Sequence, residues 1–181
     1  ALQLARQKGA GALLEETRAW WRDRLAACTQ PQIQDETLKA AYQTSLTTLS
    51  QCAEPETGAV VRAPFSMPPF ATDFPRLGAW TTLALDLANQ RAQAAKHIEF
   101  YAKSLRVGDR PGAPEGSIPA ALYGTGVEAA PQNILDVEGA SWLLWSFWQH
   151  DAFEPDADRA DYRASMWPAI ERAGNFISSW S

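Results

Sequence analysis

The sequence predicts an all-α fold, with α-hairpins set in a ring that has one working face. Three observations carry this reading. Apolar residues recur at helical spacing along most of the chain, strand patterns are nearly absent, and tight links alternate with long loops rich in Pro and Gly.

From about Ala10 to Cys28, the residues Leu14, Trp21, Leu25 and Cys28 keep helical spacing. Asp35 is placed to cap a second helix, because a carboxylate just before a helix accepts from the free N–H groups of its first turn. That helix has Leu38, Tyr42, Leu46 and Leu49 on one stripe. Pro75 suits a first helical position, where its missing N–H costs nothing, and Leu77, Trp80, Leu83 (or Ala84) and Leu87 follow it. After a break near Asn89–Gln90 come Ala94, Ile98, Tyr101 and Leu105. The fifth helix, about Glu138 to His150, is so dense in Trp and Leu that burial on most sides is expected. The sixth has the cleanest stripe: Tyr162, Met166, Ile170, Ala173, Ile177 and Trp180.

Gly58 to Ala63 is the one candidate for a short strand or extended piece. The long connections run roughly from Glu54 to Phe74 and from Val107 to Asp136. Loops of that length in a compact domain usually serve function. Periodicity alone leaves an irregular helical bundle open as the alternative to a ring.

At 181 residues the chain suits one domain with a sizeable core, and its composition is that of an ordinary soluble protein. The net charge is −5 and the charges are well mixed, so no basic stripe is available for a phosphate backbone and nucleic acid is not expected as a partner. The longest apolar stretch, Trp142 to Trp148, is too short to span a bilayer, and no membrane partner is expected. Ala1 to Lys8 lacks the apolar core of a signal peptide, but a signal already removed leaves the compartment open.

Eight Trp are many for this length. Aromatic rings pack cores, and they also stack on the C–H faces of sugars. Cys28 and Cys52 fall at opposite ends of a helical hairpin, roughly 25 Å apart at about 1.5 Å per residue, too far for a disulfide. His97 and His150 stand in no metal-binding motif, and neither a metal nor a cofactor is expected. His150 at a helix end suits the helix dipole, as do Asp156, Asp158 and Asp161 before the last helix.

Four stretches carry more information: Pro55 to Arg62 (PETGAVVR) with Thr72 to Leu83 (TDFPRLGAWTTL), Gly116 to Gly126 (GSIPAALYGTG), Pro131 to His150 (PQNILDVEGASWLLWSFWQH), and Trp167 to Trp180 (WPAIERAGNFISSW). In this order they resemble glycoside hydrolase family 15, the glucoamylases and glucodextranases, from about Asp35 to the last residue. The helix before that stretch looks like the linker helix that precedes the barrel in bacterial members. The resemblance implies a linker helix in residues 1–30 and, in residues 31–181, about the first half of an (α/α)6 barrel. It implies inverting, exo-acting hydrolysis of α-glucosidic bonds in an α-glucan or oligosaccharide.

Residue by residue, Arg76 matches an arginine that holds the terminal sugar, a role its fork of donors suits. Trp80 either lines the same pocket or packs. Where the family places Asp, this chain has Leu77, which accepts no hydrogen bond from a hydroxyl. Asp73 either substitutes for that carboxylate or, more simply, caps the helix begun by Pro75. Gln132 and Asp136 match polar residues on the active-site face, and Asp136 can also be the N-cap of the fifth helix. Tyr123, in a Gly-flanked loop, either stacks on sugar or packs.

Inverting glycosidases need an acid and a base about 6.5–9.5 Å apart. In the resembled family the acid follows the WP.I..A..YI..W helix by roughly a dozen residues and the base comes later, so both are expected outside Ala1–Ser181. The helices here would build less than half of the ring and leave apolar faces open, so the remainder of the barrel is the expected partner, as a continuation or a second chain. The alternative reading is a non-catalytic helical module, binding sugar or protein, derived from such a barrel. A terpene-cyclase-like toroid would need a DDxxD motif, and DADRAD at Asp156 to Asp161 is a poor match.

Overall fold

The computed structural model describes residues 6–63, 71–129 and 135–180. The chain divides into two compact units, Ala1–Thr48 and Leu49–Ser181. Its helices are α1 (Ala10–Ala26), α2 (Glu36–Cys52), α3 (Pro75–Leu87), α4 (Arg91–Ser104), α5 (Val137–Asp151) and α6 (Asp156–Ser178). All six expected helices are present, and the fold is all-α with only minor strand pairs. No described helix is long and apolar enough to cross a membrane.

In the first unit, Asp35 caps α2 as expected, accepting from Thr37 N–H at 2.8 Å and Leu38 N–H at 3.0 Å. Helix α1 buries none of its side chains, so the apolar spacing forecast the helix but not a core. Arg24 instead covers the Trp20 ring at 5.3 Å. Cys28 is buried here, its thiol donating to the Arg24 carbonyl at 3.3 Å, and Cys52 is a buried thiol in the second unit.

The second unit is built on two helical hairpins. The α3–α4 link is tight because Asn89 takes a left-handed φ of 61°, a conformation Asn tolerates better than most residues. Helix α4 packs back along α3: the Tyr101 ring lies directly on Gly78, where any Cβ would collide with it, and His97 meets Thr82. Helix α6 packs back along α5, with Phe147 and Tyr162 stacked at 5.2 Å. Between hairpins, α3 and α5 are parallel and in register. Arg76 meets Glu138 at their N-terminal ends, Trp80 meets Trp142 in the middle, and Asp86 meets His150 at their C-terminal ends. The core runs through α4, α5 and α6 and includes Ile98, Tyr101, Leu143, Met166, Ala173 and Phe176.

The strands are two residues each. β1 (Thr72–Asp73) pairs antiparallel with β3 (Leu122–Tyr123), and β2 (Ile118–Pro119) with β4 (Leu135–Asp136). β1 leads into α3 and β4 leads into α5, so both long loops are stitched to the same end of the parallel pair. The 58–63 segment contributes only a single bridge, Val60 to Ala53. That corrects the expectation that strand structure would concentrate there, since two-residue ladders leave no alternation to detect.

Two further expectations are corrected. The large apolar residues of α3 do not form its buried face: Leu77, Trp80 and Leu87 are 50%, 56% and 59% exposed. Helix α3 buries Gly78, Ala79, Thr82, Leu85 and Asp86 instead, because Tyr101 needs the space over Gly78. Helix α5 is buried or half-buried along most of its length, as its density in Trp and Leu predicts, although Trp148 is 67% exposed. Trp180 lies past the end of α6 and is exposed, while Phe176 takes the core position beside it.

Candidate functional site

Positions 76 and 80 lie one turn apart on α3, and 138, 142 and 145 form one stripe on α5. Because the helices are parallel and in register, the two stripes face each other at one level. Trp80 sits 6.1 Å from Trp142 and 5.3 Å from Trp145, and those two meet edge to face at 5.9 Å. Above them an Arg76 nitrogen lies 3.5 Å from a Glu138 oxygen, with both side chains well over half exposed. The result is an aromatic platform, exposed at Trp80 and half-buried at Trp142 and Trp145, with one cationic and one anionic head at its edge. Of the residues marked by the sequence, Arg76 and Trp80 lie on this platform. Glu138, Trp142 and Trp145 complete it and escaped the reading of the sequence, because the aromatic run of α5 reads as core.

Asp136 lies two residues before Glu138 as the N-cap of α5, accepting from Glu138 N–H at 3.0 Å and Gly139 N–H at 3.2 Å. Gly139 is required there by the close approach of Ile118. Gln132 lies outside the described residues.

Tyr123 belongs to a different place. It lines a cleft of about 530 Å³ with Cys52, Glu54, Glu56, Thr57 and Val61, none of which is on the platform. The cleft wall is tied by Thr57 donating to the Gly124 carbonyl at 2.6 Å, and burial pushes the Cys52 thiol pKa up.

Asp73 is not the cap of α3, which corrects the simpler expectation. The N-cap is Phe74, extended at φ −122° as a residue before Pro must be, and it makes no side-chain cap. Asp73 turns inward instead. Its carboxylate accepts from Val60 N–H at 2.8 Å and from the Tyr101 hydroxyl, and pairs with His97 Nε2 at 2.8 Å. His97 Nδ1 in turn lies 3.2 Å from the Thr82 hydroxyl. Burial, then the Asp73 charge, hold the Tyr101 phenol well above its ordinary pKa. Asp73 is therefore spent on the fold and is closed to any ligand.

His150 lies in the last turn of α5, but its partners are side chains rather than the helix end. Nδ1 meets Asp86 at 2.7 Å, and Nε2 lies 2.9 Å from Glu154 without the alignment of a hydrogen bond. Asp156 and Asp158 occupy the first turn of α6, as the dipole reading expects, and Asp156 pairs with Arg159 at 2.9 Å. Among the described residues no group of three or more His, Cys, Asp or Glu is placed to hold a metal ion.

No protein-family profile matches the chain, and no curated protein is significantly similar to it.

Proposed function

We propose that this chain forms part of a glucoamylase-like (α/α)6 barrel and binds an α-glucan chain end on the Trp80–Trp142–Trp145 platform. The observation that carries this is the exposure of Trp80. A tryptophan more than half open, flanked by two others and by Arg76, offers a flat apolar surface to a sugar ring and directed donors to its hydroxyls. The parallel α3 and α5, each followed by a packed antiparallel helix, are the repeating unit such a ring needs. Both long loops lie at the platform's end of the pair, which suits a barrel mouth. Leu87 and Trp148, farther along the same helices and exposed, fit the inner wall that further hairpins would cover.

The role proposed for these residues is binding rather than bond cleavage. In the resembled family the acid and base lie C-terminal to the segments matched here. A non-catalytic sugar-binding module remains the second reading. It is favoured by Leu77, exposed beside Arg76 and bearing no carboxylate, and by Asp73 being locked in the core.

Titrating the chain with maltotriose and following tryptophan fluorescence tests the proposal. Saturable binding that disappears in Trp80→Ala supports it. A flat titration up to tens of millimolar sinks it.

A further inference from the structure

A sugar hydroxyl both donates and accepts, so a subsite that holds a pair of hydroxyls needs acceptors as well as donors. Arg76 can only donate. Its neighbour Leu77 offers nothing, the Asp73 carboxylate is buried among three partners, and Asp136 is occupied as a cap. The acceptor comes from the adjacent helix.

We propose that Glu138 is the specificity-determining carboxylate of the platform, and that with Arg76 it clamps two adjacent hydroxyls of a pyranose lying on Trp80. This rests on the carbohydrate reading above and assigns the polar half of that same site. Glu138 lies one turn before Trp142 on the stripe that faces α3, its side chain is 61% exposed, and its carboxylate is 3.5 Å from the Arg76 guanidinium. Contact at that distance between two solvated groups adds little to the fold, so either partner can turn to a ligand at small cost. The pair also holds the two heads side by side over one aromatic surface, as reading neighbouring hydroxyls requires. The ligand class is therefore a neutral pyranose with vicinal hydroxyls. A net-charged sugar would meet a like charge at one of the two heads.

The test uses the 181-residue chain and maltotriose, with binding followed by calorimetry. The variants are Glu138→Gln, Glu138→Asp, Trp80→Ala and, as a control in the Tyr123 cleft, Glu56→Gln. The expected result is a loss of about 10-fold or more in affinity for Glu138→Gln, the size of one charge-assisted hydrogen bond. A smaller loss is expected for Glu138→Asp, none for Glu56→Gln, and the urea midpoint of Glu138→Gln should match the parent. If the parent binds, Trp80→Ala abolishes binding and Glu138→Gln stays within twofold, the role of Glu138 is overturned and the platform stands. If the parent does not bind, or Trp80→Ala binds as the parent does, both are overturned.

Discussion

Asp86 on α3 and His150 on α5 stand 64 positions apart in the chain and meet at 2.7 Å, both side chains wholly closed to solvent. This contact fixes the C-terminal ends of the two parallel helices, as Arg76 and Glu138 mark their N-terminal ends. It is also only partly satisfied: among the described residues Asp86 Oδ2 and the hydroxyl of the adjoining Tyr162 have no hydrogen-bond partner. A buried pair of this kind is costly to break, because removing one member strands the other without water. Asp86→Ala is expected to lower unfolding free energy by about 3–5 kcal/mol, read from urea denaturation. Asp86→Leu combined with His150→Leu is expected to cost less than the sum of the single changes. Strict additivity would show that the two side chains are not coupled.

The Asp73–Tyr101 contact gives a second expectation. Tyr101→Phe removes one donor from a buried carboxylate and should cost about 1–3 kcal/mol. Gly78→Ala forces a methyl group into the Tyr101 ring and should cost at least about as much. The double variant should fall short of the sum, because the hydroxyl is the first atom the new methyl meets. Thermal unfolding of the four proteins settles it.

Alkaline titration should separate the tyrosines. Burial, followed by nearby carboxylate charge, raises both Tyr101 and Tyr162 above the ordinary phenol value of 10.0. In the unfolded chain these groups ionise near that value, while the folded chain keeps them protonated. The native state then binds more protons, and stability falls as pH rises beyond about 10. Of the four tyrosines, Tyr101 and Tyr162 are expected to give phenolate absorbance only as the protein unfolds. Tyr101→Phe and Tyr162→Phe should each remove part of that delayed signal.

Acid acts through the opposite sign. The Arg163 guanidinium donates to both oxygens of Asp151, at 2.8 Å and 2.7 Å, and lowers its pKa from the ordinary 3.8. The unfolded chain takes up this proton first. The contribution to stability is therefore present above about pH 4 and disappears as pH falls through the lower folded value. Arg163→Gln should destabilise the protein near neutrality and match the parent at strongly acid pH. A difference that does not depend on pH would remove the ion pair as its cause.

The Asp136 cap can be told apart from a sugar contact. Asp136→Ala should cost about 1 kcal/mol of stability through the lost cap, and Asp136→Asn should restore most of it. If Asp136 serves only α5, maltotriose affinity is unchanged in Asp136→Asn. A drop in affinity with stability intact assigns it to the ligand.

Much of the fold was legible from local pattern. Pro75, Asp35 and Asp136 marked helix starts, because capping and proline geometry act within three or four residues of themselves. Arg76 and Trp80 were legible as candidates for the proposed platform, through the segment that resembles a sugar-binding family. Trp142 and Trp145 were not, since a dense aromatic run looks the same whether a partner helix covers it or not. Asp73 was misread because a cap and an inward-facing carboxylate share the same position before a helix. Only the approach of Val60, His97 and Tyr101 from elsewhere in the chain separates them.

The sequence by itself determined the helices, their order and the caps at Asp35 and Asp136, because period, propensity and capping depend on near neighbours. The tertiary structure alone decided which faces those helices bury. Gly78 against Tyr101, Asp86 against His150 and Arg76 beside Glu138 join residues 23 or more positions apart, and such contacts leave no period in the chain. Burial depends on what a side chain meets, and α3 meets a tyrosine ring on its small face while its tryptophan stays open.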